Sequence, residues 1–239
     1  MAKDSIPDDI VGDITARVLH RDGLMLVINK PHGIPVHRGP RNSRDKSGTA
    51  LEDYFDGLRF GLPRPPVLAH RLDRDTSGCL VLGRHRKATA SLGLLFKHGK
   101  ISKTYWAVVE GSPETEGTID IPLGRLDAER GWWQKPDPNG LPSTTKWRVL
   151  GRGENIAWLA LEPLTGRTHQ LRVHCAAMGW PIVGDNIYGS GPRTGEPFLH
   201  LHAREIVIPL SKNKPPVDVI APVPAHMQER LLKCGWTSE

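Results

Sequence analysis

"TKWRVLGRGENIAWLALEPLTGRTHQLRVHCAAMG", residues 145–179, decides the fold class. Its first part reads as two strands around the turn-rich "GRGEN". A helix follows, with Leu171, Cys175 and Met178 on one face and Gly179 placed as a C-cap. Two strands in succession and then a helix are not a βαβ unit. The same holds outward from this stretch. Leu24–Ile28 reads as a strand that runs into a Pro- and Gly-rich turn. Leu51, Tyr54, Phe55 and Leu58 fall at i, i+3, i+4 and i+7 of a helix, with Thr49 and Glu52 as its capping box. Ala88, Leu92, Leu95 and Phe96 give a second helical stripe. "KTYWAVVEG" and "TIDIPLGRL" are β-rich, and residues 127–143 read as a hairpin tip. Pro224 opens a last helix with Met227, Leu231 and Cys234 inward, stopped by Gly235. Strands outnumber helices without regular alternation. The expected class is α+β, a central mixed, mainly antiparallel sheet flanked by helices and loops. Residues 1–12 read as a leader and 13–239 as a single domain of catalytic size.

Composition narrows the function. The 239 residues are 38% hydrophobic and 24% charged, which suits a soluble chain with a buried core. A net charge of +6 favours anionic partners, nucleic acid first among them. Three scattered cysteines, Cys79, Cys175 and Cys234, form no CxxC, so neither a disulfide framework nor a zinc knuckle is indicated. The start, "MAKDSIPDDI", lacks the apolar centre of a signal peptide, and no apolar run approaches the roughly 18 residues of a membrane span. A reducing, cytoplasmic setting is expected.

Three constellations could carry chemistry. "VLAHRLDRDTSGCLVLGR", residues 67–84, places nine charge-dense residues between two apolar runs. Arg71 and Arg74 flank Asp73, and nearby cations favour a carboxylate that can act as nucleophile or base. The plain alternative is an ion-paired turn, with Thr76, Ser77 and Gly78 turning the chain. Arg167, Gln170 and His174 recur at roughly helical spacing and could form one wall of a pocket, or a solvated helix face. Lys103, Tyr105 and Trp106 could stack on a base and hold a phosphate. Trp132 and Trp133 with Lys135 offer a weaker version of the same idea. Among the 11 histidines, His200 and His202 are spaced to share a strand face, but no zinc-like spacing completes them. No metal and no cofactor are expected, and no Gly-rich phosphate loop occurs.

Taken together, these segments resemble the RluA-type family of RNA pseudouridine synthases. "HRLDRDTSG" resembles its catalytic motif, "KTYWAVVEG" its second motif, and "LEPLTGRTHQLRVHCAAMGWPIVGDNIYG" its third. "LMLVINKPHGIPVH" and "HLHAREIVIPL" are similar to the strands before and after. The resemblance implies cleavage of a uridine's glycosidic bond in RNA, rotation of the uracil, and rejoining through ring carbon 5. It implies Asp73 as the essential carboxylate, Asp75 as a structural one, Tyr105 stacked on the target uracil and Arg167 paired with Asp73. Arg71 would fill the gap left by the flipped base, Leu171 would pack on the base, and His70 and Arg74 would join the RNA-binding side. The basic "GPRNSRDK" and "GRHRK" would hold phosphates. The sequence has Leu141 where many relatives carry a basic residue. The resemblance leads us to expect a monomer without a separate N-terminal RNA-binding domain, acting on tRNA or ribosomal RNA stem-loops. Two alternatives stand beside it: a metal-dependent hydrolase using His200, His202 and an aspartate, and a non-catalytic RNA-binding protein of the same fold.

Overall fold

The computed structural model describes residues 11–38, 49–125, 133–210 and 214–238. The chain divides into two compact units, Met1–Ile101 with Glu205–Pro222, and Ser102–Arg204 with Val223–Glu239.

In the first unit, β1 (Val18–Arg21) pairs antiparallel with β2 (Met25–Lys30). The strand expected at Leu24–Ile28 thus begins one residue later and runs to Lys30; Leu24 is left exposed. The two-residue β3 (Val67–Leu68) and β4 (Ser77–Gly83) follow, and β4 pairs antiparallel with both β2 and β3. All seven residues of β4 are buried, which explains its unbroken apolar run. Helix α1 (Arg86–Lys97) is capped by His85, whose Nδ1 accepts from the Ala88 N–H at 3.3 Å. Its stripe is as expected: Ala88 and Leu92 are buried, Leu95 and Phe96 half-buried. A Cβ on Gly83 would collide with Thr89, so only glycine lets α1 approach β4 this closely.

Leu51–Leu58 winds as a 3-10 helix rather than an α-helix, burying Leu51, Phe55 and Leu58. Its cap also differs from expectation. The N-cap is Ala50, whose N–H donates to the Asp53 carboxylate at 2.9 Å. Glu52 instead accepts from His37 Nδ1 at 2.9 Å and from the Arg38 N–H at 3.1 Å. The capping pair is therefore shifted one residue from Thr49 and Glu52, because Glu52 is drawn to the preceding turn.

In the second unit come β5 (Ser102–Glu110), β6 (Glu116–Asp120), β7 (Leu123–Arg125), β8 (Gln134–Pro136), β9 (Thr144–Gly153) and β10 (Ile156–Pro163). Strand β10 pairs antiparallel with β5 and β9, and β9 with β6. Strands β7 and β8 pair antiparallel with each other, and residues 126–132 between them, Trp132 included, lie outside the described residues. The β9–β10 turn carries Asn155 at φ 56°, a left-handed position that asparagine tolerates. Helix α2 (Gln170–Ala177) ends one residue before Met178, which is its C-cap and is 44% exposed. Met178 therefore does not share the buried face of Leu171 and Cys175. Gly179, at φ 83°, supplies the left-handed residue just past the cap.

Strand β11 (Leu201–Ile208) crosses the division between units, and β12 (Val217–Ile220) pairs antiparallel with its second half. Helix α3 (Ala225–Lys233) buries Met227 and Leu231, and Cys234 is buried beyond it. Within the second unit the helices take opposite faces of β5. Ala107 and Val109 join Leu171 and Cys175 of α2 in one apolar cluster, while Val108 joins Met227 and Leu231 of α3 in another. Antiparallel strand pairs covered by separate helices make this an α+β fold, as the sequence implies.

Candidate active site

Asp73 sits in the loop between β3 and β4, half-buried, with Arg71 and Arg74 exposed on either side. The loop is fixed from within the first unit. The Val81 N–H donates to His70 Nε2 at 3.0 Å, and the His70 ring stacks on Phe96 at 4.3 Å. The Thr76 N–H donates to the Asp73 carbonyl at 3.2 Å, closing a turn around the two aspartates. Arg74 Nε donates to the Gly33 carbonyl at 3.0 Å. His70 and Arg74 thus each hold the loop.

The firmest hold comes from a residue that sequence reading left out. Lys30, at the end of β2, is wholly buried. Its ammonium donates to the carbonyls of Pro31 at 2.9 Å, Arg74 at 2.8 Å and Thr76 at 2.9 Å. Three N–H groups meet three acceptors, so the ammonium is fully satisfied. Burial pulls Lys30 from its ordinary value down to about 7; Asp75 and then Asp73 oppose that pull, and Arg74 adds to it. Of the two carboxylates Asp75 opposes the pull more, which suits a carboxylate that holds the loop. The signal for Lys30 in the sequence is a lysine closing a strand that begins with four apolar residues, "MLVINK".

In the second unit, Tyr105 on β5 is half-buried and packs against the cluster that contains Leu171. It lies opposite Leu161 of β10. Trp106, one residue on, points to the other face. There it meets Trp158 edge-to-face at 4.6 Å and lies under the Arg204 guanidinium at 4.4 Å. Lys103, Tyr105 and Trp106 therefore do not form one stacking platform, because successive strand residues alternate faces. Burial pulls the Lys103 ammonium below its ordinary value.

Arg167 is exposed in the loop before α2, not on the helix. Its N–H donates to Gln170 Oε1 at 3.0 Å and its Nε to the Pro142 carbonyl at 3.1 Å. Gln170 and His174, expected beside it on a pocket wall, are buried and bonded inward. His169, at φ 54°, turns the chain into α2 from the left-handed region.

A second buried pair escaped sequence reading. Arg172 grips Asp185 through two 2.7 Å bonds, with both side chains almost wholly enclosed. Burial pushes the Asp185 carboxyl up, but the Arg172 bonds and charge and two backbone N–H groups hold it below its ordinary value. Those donors, Ile187 and Tyr188, tie down the chain after β10 and α2. The Tyr188 hydroxyl accepts from the Gln134 N–H at 3.0 Å and meets His169 Nδ1 at 2.9 Å. The clue was the turn-rich "GDNIYG", which spacing alone does not connect to Arg172.

Leu141 is 60% exposed and bridges to Leu123 by reciprocal backbone bonds. All of "GPRNSRDK", residues 39–46, lies outside the described residues. His200 and His202 are wholly buried. His200 donates from Nδ1 to the Phe198 carbonyl at 2.7 Å and faces Arg230 at 3.4 Å. Among the described residues, no group of three or more His, Cys, Asp or Glu is placed to hold a metal ion. The hydrolase alternative finds no support.

The family model described as RNA pseudouridylate synthase matches residues 24–177, a span that holds Asp73, Tyr105, Arg167 and Leu171. The chain belongs to the RNA pseudouridylate synthase family. An uncharacterized RNA pseudouridine synthase of Zymomonas mobilis is 42% identical over 214 residues, covering 88% of this chain and 95% of that one. Ribosomal large subunit pseudouridine synthase C of Vibrio cholerae is 34% identical over 234 residues, covering 93% and 70%. The solved structure of human RNA pseudouridylate synthase domain containing 4 matches with a TM-score of 0.76 at 26% identity, over 94% of this chain and 95% of that one. This synthase is accordingly an isomerase of the RluA type whose substrate class is RNA. No helix among the described residues is long and apolar enough to cross a membrane.

Proposed function

We propose that the chain converts specific uridines in tRNA or ribosomal RNA stem-loops to pseudouridine, with Asp73 as the catalytic carboxylate. The observation that carries this reading is the Lys30 clamp, which pins the Arg74 and Thr76 carbonyls and so fixes the chain on the C-terminal side of Asp73. A turn that merely joined two strands would not need a buried ammonium at its centre. The exposed Arg71 beside it suits a side chain that enters RNA where a base has left. The flat guanidinium offsets part of the few kcal/mol that flipping costs.

In the reaction, the C1′–N1 bond breaks and the uracil turns. A C1′–C5 bond then forms, and the proton leaving C5 is balanced by one gained at N1. Attack on the ribose carbon, addition to the ring and removal of a ribose proton all start from an aligned carboxylate. Tyr105 supplies an aromatic face for the uracil, Leu171 an apolar neighbour, and Arg167 a planar fork for the carboxylate. Asp73 is carried by the first unit, and Tyr105 and Arg167 by the second; in this reading residues 13–239 act as one catalytic domain. The enzyme works without a cofactor, as a monomer, in the cytoplasm. The test is to map pseudouridine across tRNA and ribosomal RNA from cells with and without the gene. Loss of one or a few sites is expected. An unchanged map would favour a non-catalytic RNA-binding protein.

A further inference from the structure

Four polar side chains are enclosed together beside the Arg167 loop: Ser143, Thr145, Gln170 and His174, each at most 3% exposed. Enclosed polar groups are costly unless every one is bonded, and here the bonds can be followed atom by atom. Thr165 Oγ1 accepts from the Thr144 N–H at 3.0 Å and donates to Gln170 Oε1 at 2.7 Å. The same oxygen takes the Arg167 N–H at 3.0 Å. Gln170 Nε2 donates to the Thr144 carbonyl and to Thr145 Oγ1, each at 3.0 Å. Thr145 Oγ1 lies 2.9 Å from His174 Nδ1, and His174 Nε2 lies 3.0 Å from the Ile121 carbonyl.

These contacts admit one arrangement of protons. A carbonyl only accepts, so His174 Nε2 carries the proton and, in the neutral ring, Nδ1 is bare. Thr145 must then donate to Nδ1 and accept from Gln170. Burial supports the neutral ring by lowering the His174 pKa, although the Ile121 carbonyl and Asp120 oppose it. Arg167 is thus held twice, at its backbone N–H by Gln170 Oε1 and at its Nε by the Pro142 carbonyl, 3.1 Å away. It is exposed, and the neighbouring Gly166 has open space where a Cβ would stand.

We infer that Thr145, Gln170 and His174 are positioning residues that set the backbone of Arg167 and so present its guanidinium to the RNA in one geometry. The Thr145 hydroxyl, which both accepts and donates, fixes the order of the chain. The inference rests on the reading of Arg167 as a catalytic residue.

The test measures tritium release from RNA labelled at uridine C5 and prepared from cells lacking the protein. It compares wild type, Thr145→Val, Thr145→Ser, Arg167→Ala and the Thr145→Val/Arg167→Ala double variant, with thermal unfolding of each. Thr145→Val should lower kcat roughly 10- to 100-fold, and Thr145→Ser should restore most of it. In the Arg167→Ala background, Thr145→Val should cost nothing further, because the group it positions is gone. An equal fold-loss in both backgrounds, or a wild-type kcat for Thr145→Val, would overturn the inference. A wild-type rate for Arg167→Ala would sink the reading of Arg167 and the inference with it. If Thr145→Val melts below the assay temperature, Thr165→Val, which removes a half-buried hydroxyl from the same amide, replaces it with the same expectations.

Discussion

The Lys30 ammonium donates to the Thr76 carbonyl at 2.9 Å, across 46 positions of sequence. That bond and its two companions make a buried charge the support of the Asp73 loop. Lys30→Met should therefore leave three acceptors without a donor, at about 1–3 kcal/mol for each that stays dry. The folded pKa of about 7 lies below the ordinary 10.5, so between these values the unfolded chain binds more protons than the native one. Stability conferred at this site rises as pH climbs from 7 towards 10.5. Urea unfolding of wild type and Lys30→Met across that range should show the rise in wild type alone.

Asp73→Asn should abolish pseudouridine formation while RNA binding, followed by fluorescence anisotropy, stays within a few-fold of wild type. Asp75→Asn should keep measurable turnover and lose thermal stability, since Asp75 opposes the burial cost of Lys30 more than Asp73 does. A dead Asp75→Asn beside an active Asp73→Asn would reverse the assignment.

Arg71→Ala removes an exposed guanidinium that no described hydrogen bond holds to the protein. Activity should fall by about 1–3 kcal/mol of stacking on a target whose uridine is paired or stacked. It should fall much less on a short single strand, where no gap opens. Paired assays on a stem-loop and on its single-stranded counterpart decide the matter.

Burial brings His200 down to about 4, with the Phe198 carbonyl opposing and His226 and Arg230 reinforcing. Its folded pKa lies below the ordinary 6.5, so stability is lost as pH falls from 6.5 towards 4. The full window corresponds to about 3 kcal/mol. Chemical denaturation at several pH values should show that loss, and His200→Gln should flatten it.

Asp185→Ala would strand the Arg172 guanidinium in an enclosed site, at about 3–5 kcal/mol. Replacing the pair with Arg172→Met/Asp185→Leu should cost less than the single change. Calorimetric melting of the two variants compares them directly.

Much of the frame was legible. The β9–β10 pair and α2 follow from alternation and a helical stripe, and the stripe of α1 gave its buried face. The errors have local causes. Met178 keeps the spacing of Leu171 and Cys175, but the helix stops at Ala177, so spacing no longer sets its direction. Trp106 was separable from Tyr105 by the period of a strand alone. Lys30, Gln170 and His174 were not legible in the same way. Each has, besides any near partners, an acceptor or donor 25 or more positions away, at Thr76, Thr145 and Ile121. A helical polar spacing looks the same whether it meets solvent or an enclosed threonine. The charge-dense Asp73 segment stood out in sequence through its family resemblance, whereas the residues that steady it are visible only in three dimensions.

The edge-to-face contact of Trp106 with Trp158 gives the molecule an optical signature of its own. Of seven tryptophans, these two meet on the face that Met227 and Leu231 cover, while Trp147 and Trp180 form a second ring pair at 5.4 Å in the other cluster. Coupled indoles fixed in one chiral arrangement shape the near-ultraviolet circular dichroism, which vanishes once packing loosens even if helices persist. The share of that ellipticity that Trp158→Phe removes therefore reports on the α3 face, with no label attached.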